Sequence, residues 1–200
     1  MHVHGGGGRD FMEGTEEAFR VAINAHMKHG TTSIFPTLSS STVPMIEAAC
    51  ETCQKMMDEE NSPVLGLHLE GPYFNPKQAG AQIPEWIKAP VAEEYEPLLE
   101  KYPCIKRWDE APELPGSIEF IKACCKHGVI ASIGHTRATY KDVVAAHNAG
   151  MMHATHFYNA MPVVYKEHEF KVPGTVESVY ALPEMTVEVI ADGIHVPPVI

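Results

Sequence analysis

Three times along the chain a stretch with apolar residues at helical spacing runs into a glycine and then into a β-rich run, at Gly30, Gly128 and Gly150. That order reads as helix, left-handed cap, strand. The first helix is expected to begin at Thr15 as N-cap, with Glu16 and Glu17 in the first turn where the helix dipole favours negative charge. It should end at Lys28-His29-Gly30, ahead of a strand at 32–37. A second helix is expected at 44–59, stopped by Asn61-Ser62-Pro63, and then a strand at 64–70 whose nearly continuous apolar run suits a buried parallel strand. Helix 117–126 with strand 129–134, helix 139–148 with strand 151–157, and a last strand at 186–191 repeat the alternation. Strands spaced by helices in this way predict right-handed βαβ units and one parallel sheet. Residues 71–115 carry more proline and charge and read as a long excursion over one face with one less obvious βα unit, including a short strand around 105–108. No linker or low-complexity segment divides the chain, so residues 1–200 read as one domain or part of one.

Composition narrows the class. The apolar fraction of 44% is enough for a full core and excludes a disordered chain, a collagen-like repeat and a disulfide scaffold. Lys+Arg 15 against Asp+Glu 26 give a net charge of -11, spread along the chain, which repels phosphate backbones and anionic headgroups. Nucleic acid and membrane are therefore not expected partners. No apolar run approaches the ~18 residues of a spanning helix, and residues 1–8 lack a cationic-then-apolar signal layout, so a cytoplasmic setting is expected. Five cysteines, with Cys124 and Cys125 adjacent, argue for a reducing compartment. Cys50 and Cys53 form a C-x-x-C, but they sit in a helix-like stretch beside Met45, Met56 and Met57 with no second pair at zinc-finger spacing; they read as packing thiols.

The count that changes the picture is His 12. In parallel α/β folds the ligand site is built at the carboxyl ends of the strands, and here those ends are rich in metal-ligand types. His2-Val3-His4-Gly5 closes the first strand with both imidazoles on one face by alternation. Glu70-Gly71-Pro72, His135-Thr136, His156-Phe157-Tyr158-Asn159 and Asp192-Gly193-Ile194-His195 close later ones. Any one of these is explained by a buried, hydrogen-bonded histidine or a solvated carboxylate; all of them together are not. Neutral imidazoles with one carboxylate and no thiolate suit a divalent zinc, iron, manganese or cobalt ion. Such a cluster lowers the pKa of a bound water and polarises a carbonyl, so hydrolysis is the expected reaction class. His26, His29, His127 and His147 fall in or at the ends of helices and take the ordinary reading. His68, two residues before Glu70, is expected to face the same way, as a supporting or barrel-filling residue; His153 ends no expected strand, and His168 lies in a polar loop.

These residues resemble the N-acetylglucosamine-6-phosphate deacetylases of the amidohydrolase superfamily over essentially the whole chain. The resemblance rests on His2-Val3-His4-Gly5-Gly6, His68-Leu69-Glu70-Gly71-Pro72-Tyr73-Phe74, Ala111-Pro112-Glu113, Ile133-Gly134-His135-Thr136, Thr155-His156-Phe157-Tyr158-Asn159-Ala160-Met161-Pro162 and Asp192-Gly193-Ile194-His195, in the family's order. It implies a (β/α)8 barrel of the TIM type, incomplete here, with strands 1 to 7 present and strand 8 missing, in a protein that forms a homodimer. It implies removal of acetate from N-acetylglucosamine 6-phosphate to give glucosamine 6-phosphate. Carried over residue by residue, Glu70, His135 and His156 look like the principal metal ligands, and His2 and His4 match the pair that some members use for a second ion, so one or two ions per chain are implied. Ala81, Gln82, Asn159, Ala160, Lys166 and Asp192 fall at substrate-binding positions. His195 looks like the catalytic residue that meets the sugar amide and stabilises the oxyanion formed when a metal-held hydroxide attacks.

Two departures stand out: Gly80-Ala81-Gln82 puts an amide where the family commonly has an imidazole, and Lys166-Glu167-His168 puts a point cation where many members place an arginine for the 6-phosphate. The family's general acid/base aspartate would lie beyond Ile200, so the chain reads as an excerpt of a whole deacetylase. Two alternatives stand beside this reading. One is a truncated, non-catalytic metal or sugar-phosphate binding paralogue; the other is an amidohydrolase of N-acyl or cyclic amides, against which Glu70 on the third strand argues.

Overall fold

The computed structural model describes residues 2–200; Met1 lies outside the described residues. In chain order the elements are β1 (His2–Val3), β2 (Gly5–Gly6), β3 (Arg9–Asp10), α1 (Glu16–Met27), β4 (Phe35–Leu38), α2 (Val43–Met57), β5 (Leu67–Glu70), α3 (Ala92–Lys101), β6 (Ile105–Glu110), α4 (Ser117–Lys126), β7 (Ile130–Ile133), α5 (Tyr140–Ala149), β8 (His153–Ala154), β9 (Tyr165–Glu167), β10 (Phe170–Val172), α6 (Thr175–Tyr180) and β11 (Thr186–Val187). Seven strands form one sheet in the order β1-β4-β5-β6-β7-β8-β11, every neighbouring pair parallel. Each strand of the sheet lies beside the next in sequence and a helix intervenes each time, the pattern of a (β/α)8 barrel. The sheet curls: His2 on the first edge strand donates from Nδ1 to Oε1 of Glu188, one residue past the last, at 2.8 Å. The fold is an incomplete TIM-type barrel with seven of its strands present among the described residues.

Local sequence explains where the helices begin and what they bury. Thr15 Oγ1 accepts from the Ala18 amide at 3.2 Å, and α1 buries Ala18, Phe19, Ala22 and Ile23, one stripe at helical spacing. In α5, Thr139 and Asp142 form a reciprocal capping box, and Gly150 ends the helix in the left-handed region at φ 115°. A side chain at Gly150 would also collide with Cys125 Sγ, 2.5 Å from where its Cβ would sit. Between sheet and helices, Trp108 of β6 stacks on Tyr73 at 5.6 Å and meets Phe120 of α4 edge-on at 5.2 Å. Its indole N–H donates to the Gly71 carbonyl at 2.9 Å, which ties the turn after Glu70 to the core. All five cysteines are free, and Cys50 and Cys53 are buried on α2, as their packing role requires.

Several strands differ from their expected bounds. The run 32–37 pairs only from Phe35, with Ile34 making an isolated bridge to Val64. The run 64–70 pairs from Leu67, because Gly66 lies at φ 154° and the register slips between Leu67 and His68. The runs 151–157 and 186–191 shrink to β8 and β11, since the chain turns off the sheet where it delivers its ligand residues. His153, expected to end no strand, lies in β8 and meets Thr186 Oγ1 through Nδ1 at 2.8 Å. β6 extends to Glu110, past the expected 108. Residues 71–115 hold α3, and the polar stretches before α1 and after β8 hold the hairpins β2–β3 and β9–β10. No helix among the described residues is long and apolar enough to cross a membrane.

Candidate metal centre

Glu70 ends β5 with its carboxylate buried at the carboxyl end of the sheet, and imidazoles from three other strands converge on it. Oε1 lies 2.9 Å from His135 Nε2 and 3.0 Å from His156 Nε2, and those two nitrogens are 3.1 Å apart. Oε2 lies 2.9 Å from His4 Nε2 and 3.7 Å from His2 Nε2, which are themselves 3.2 Å apart. The five ligand residues expected from the sequence therefore form two three-residue groups that share Glu70.

The hydrogen bonds outside this cluster decide which atoms face inward. His135 Nδ1 meets the Gln78 carbonyl at 2.8 Å, and a carbonyl only accepts, so Nδ1 carries a proton and Nε2 is the nitrogen turned to Glu70. His2 Nδ1 likewise donates to the Glu188 carboxylate at 2.8 Å. Ring nitrogens and carboxylate oxygens thus crowd together at contact distance, an arrangement of ligand atoms that a cation can bridge. Glu70 Oε2 and His156 Nδ1 are buried without a hydrogen-bond partner. The donor set fits a divalent metal of the zinc, iron, manganese or cobalt kind.

Electrostatics agree. Burial alone would raise the Glu70 pKa, but the imidazoles of His135, His156, His2 and His4 set around its two oxygens hold it well below the usual carboxylate range. Burial would lower that of His2, yet Glu188 and Glu70 outweigh it and raise it to about 9. The proton that His2 takes up is the competitor a metal ion displaces.

The backbone around the centre is contorted to deliver these groups. His135, His156, Tyr158 and Ala160 have φ of 44°, 29°, 78° and 52°, in the region that side chains other than glycine disfavour. Such conformations cost about 1–3 kcal/mol each and persist only when the surroundings hold them. Thr136 N–H donates to the Ala160 carbonyl at 3.0 Å and Asn75 N–H to the His135 carbonyl at 3.0 Å, locking the two loops together. Gly134 is required before His135 because a Cβ there would sit 2.3 Å from Thr155 Cγ2.

A cavity of about 990 Å³ opens over the centre, within the range of small-molecule sites. Its wall includes Ala81, Gln82, Asn159, Ala160 and His195 as expected. Gln82 turns its carbonyl inward to accept from the Ser40 amide at 2.6 Å. Asp192 acts on His195: its carboxylate accepts from His195 Nδ1 at 2.6 Å and from the Ile194 and His195 amides at 2.8 Å each. The backbone N–H groups of His195 and Ile194, then the His195 ring, lower the Asp192 pKa to about 2. Lys166 is not brought to the wall; it stands exposed on β9, 3.6 Å from Glu169. Among the described residues no lysine or arginine lines the cavity.

Sequence reasoning passed over Arg107 and Asp109 beneath the ligands, though not His68, expected there as a supporting or barrel-filling residue. Arg107 and Asp109 alternate with Trp108 on β6 and so face the barrel interior, where Arg107 Nε donates to Asp109 Oδ1 at 3.1 Å and its terminal nitrogens hold Glu188. His68 is part of this layer, with Nε2 2.7 Å from Asp109 Oδ2 and Nδ1 3.1 Å from Thr37 Oγ1. The available signal was period-two alternation of charge in strands otherwise apolar.

Comparison with known proteins follows the same line. The Amidohydrolase family matches residues 1–200. The N-acetylglucosamine-6-phosphate deacetylase of Bacillus subtilis is 34% identical over 202 residues, covering 98% of this chain and 50% of that protein. The N-acetylgalactosamine-6-phosphate deacetylase of Escherichia coli O157:H7 is 31% identical over 202 residues, covering 98% and 52%. The N-acetyl-D-glucosamine-6-phosphate deacetylase of Mycobacterium smegmatis, solved as a mutant with N-acetyl-D-glucosamine-6-phosphate, superposes with a TM-score of 0.90 at 30% identity, covering 99% of this chain and 51% of that one. The chain spans about half the length of the relatives it matches. With a barrel sheet whose strand ends converge on one shared glutamate and a match along its whole length, the chain belongs to the amidohydrolase family.

Proposed function

We propose that this chain carries the metal centre and much of the substrate wall of a deacetylase acting on an N-acetylated amino-sugar 6-phosphate, with N-acetylglucosamine 6-phosphate as the first substrate. The observation that carries the reading is the convergence of four imidazoles on the two oxygens of Glu70 at the floor of a substrate-sized cavity. Glu70, His135 and His156 would hold one ion, and His2 and His4, sharing Glu70, a second. A divalent cation there supplies a Lewis acid for the amide carbonyl and makes water nucleophilic near neutral pH.

The remaining work falls to the chain's own groups. Asp192 holds the Nδ1 side of His195, which leaves the opposite ring nitrogen free to meet the acetamide group. Asn159 and Ala160 lie on the wall beside His156 and orient the sugar. Gln82 contributes hydrogen bonding without charge where the resembled family has an imidazole. Hydrolysis is a property of the ion pair site and the wall; the phosphate is the part recognised least by this wall, which lacks a lysine or arginine among the described residues. The 4-epimer, N-acetylgalactosamine 6-phosphate, is a second substrate reading, favoured by a relative of that name at 31% identity. A homodimer belongs to the same proposal.

The test is acetate release by the metal-loaded chain from both epimeric sugar phosphates and from unphosphorylated N-acetylglucosamine. Acetate from a phosphorylated sugar, absent in Glu70→Gln, supports the deacetylase. Stoichiometric ion binding with no acetate from any of the three overturns it in favour of a binding module.

A further inference from the structure

We propose that Glu188 is a positioning residue that fixes the His2 ring with its Nε2 toward Glu70, and so sets the ion affinity of the His2–His4 half of the centre independently of the His135–His156 half. The inference rests on the metal reading above. Glu188 follows β11, whereas His2 lies on β1, at the opposite edge of the curled sheet. Their contact, Nδ1 to Oε1 at 2.8 Å, is the shorter of the two hydrogen bonds at that nitrogen among the described residues, Thr155 Oγ1 lying 3.4 Å away. An imidazole ring turns freely about its bond to Cβ unless its far nitrogen is held, and losing such a partner typically weakens a metal site by about 10- to 100-fold.

Glu188 is itself held. Thr155 Oγ1 donates to Oε1 at 2.8 Å, Arg107 Nη1 donates to Oε2 at 2.7 Å, and Arg107 Nη2 donates to Oε1. Asp109, buried below, anchors Arg107 through its Nε at 3.1 Å. The carboxylate therefore sits on a fixed platform and transmits its position to one ring. Toward the deep half Glu188 reaches backbone alone: its Oε1 accepts from the His156 amide at 3.5 Å and its carbonyl from the Phe157 amide at 2.7 Å, whereas the His135 ring takes its orientation from the Gln78 carbonyl.

The experiment titrates the full 200-residue chain with Zn²⁺ against a chelator and reads the His2 tautomer from ring-nitrogen chemical shifts in the metal-free protein at about pH 10, above the His2 pKa of about 9, where the ring is neutral. In the unmodified chain, two equivalents and an Nδ1–H tautomer at His2 are expected. Glu188→Ala is expected to weaken one equivalent by about 10- to 100-fold, leave the other unchanged and scramble the tautomer. Glu188→Asp keeps a charge for Arg107 but withdraws the carboxylate by one methylene, so it makes the same test in a chain whose ion pair survives, with the same selective loss. Glu188→Gln is expected to restore tautomer and affinity, since the donors converging on Oε1 keep the amide oxygen there. Equal weakening of both equivalents, or a retained Nδ1–H tautomer with unchanged affinities in the alanine and aspartate variants, overturns the proposal alone. No Zn²⁺ bound by the unmodified chain overturns the metal reading itself.

Discussion

The two halves of the centre use the same chemistry and differ in how firmly the fold holds it. His135 and His156 follow interior strands, are buried, and ride on backbone held in left-handed conformations by cross-loop hydrogen bonds. His2 and His4 belong to β1, an edge strand of two residues, with side chains 14% and 41% exposed. Strain stored in the deep half means that its geometry exists before an ion arrives, and little ordering remains to be done on binding. The outer half draws its order from side chains: Glu188 on His2, and Ser39 Oγ, 3.2 Å from His4 Nδ1. The deep half is accordingly expected to bind its ion first and the outer half second.

Removing the residue common to both halves gives the largest effect. Glu70→Gln takes the shared charge from both halves at once and should abolish both ion equivalents and acetate release; an ion retained at full stoichiometry, counted by elemental analysis, contradicts the shared role. His135→Ala comes next: the deep ion should be lost, with acetate release lost beside it, and stoichiometric retention of two ions would remove His135 from the ligand set. His4→Ala should remove only the outer equivalent. If His4→Ala instead empties both halves, the ranking of deep over outer is wrong.

Much of this centre is legible in the sequence for a physical reason. Parallel strands place their terminal residues at one end of the sheet, so Glu70, His135 and His156 can be gathered on paper from strand ends alone. The helices α1, α4 and α5 are legible because caps and apolar stripes are local signals, and Ser117–Lys126 matches its expected bounds. Strand lengths are less so: whether 151–157 stays paired depends on the partner strand, and the chain leaves β8 after Ala154 to form the turn bearing His156. Glu188 and Arg107 were hidden because their partners lie far apart in sequence, 186 and 81 residues for the contacts that define them. Lys166 shows the converse, a charge expected at the substrate that local pairing leaves on an exposed hairpin.

The deep half has its own clamp, and removing it should do less than removing a ligand. Glu113 accepts from Arg137 N–H at 2.6 Å, from Asn75 Nδ2 at 2.8 Å and from the Thr136 hydroxyl, bracing the loop that carries His135. Glu113→Ala is expected to weaken the deep ion by about tenfold, with the outer ion unaffected. Equal loss at both halves in a Zn²⁺ titration would show that the loops are not independent.

The smallest effect separates stability from binding. Glu110 ends β6 fully buried, with Ser117 Oγ donating to Oε2 at 2.8 Å and Oε1 without a partner. Burial raises its pKa well above the usual 4.5, Ser117 opposes this, and Glu113 adds to it. The sign follows from linkage. Below the unfolded pKa both states hold the proton; above it the folded state keeps a proton that the unfolded state has released, so this group lowers stability as pH rises until the folded pKa is passed. The slope is at most about 1.4 kcal/mol per pH unit. Glu110→Gln removes it, so the variant should melt with the unmodified chain near pH 4 and at a widening margin above it between pH 5 and 8. The Glu110 carbonyl accepts from the Gly134 amide, at 3.1 Å, through backbone that the substitution leaves in place, so both ion affinities should stay unchanged. Melting curves that shift in parallel with pH would mean that Glu110 is ionised in the folded protein, and altered affinity of the deep ion alone would mean that its side chain supports His135 after all.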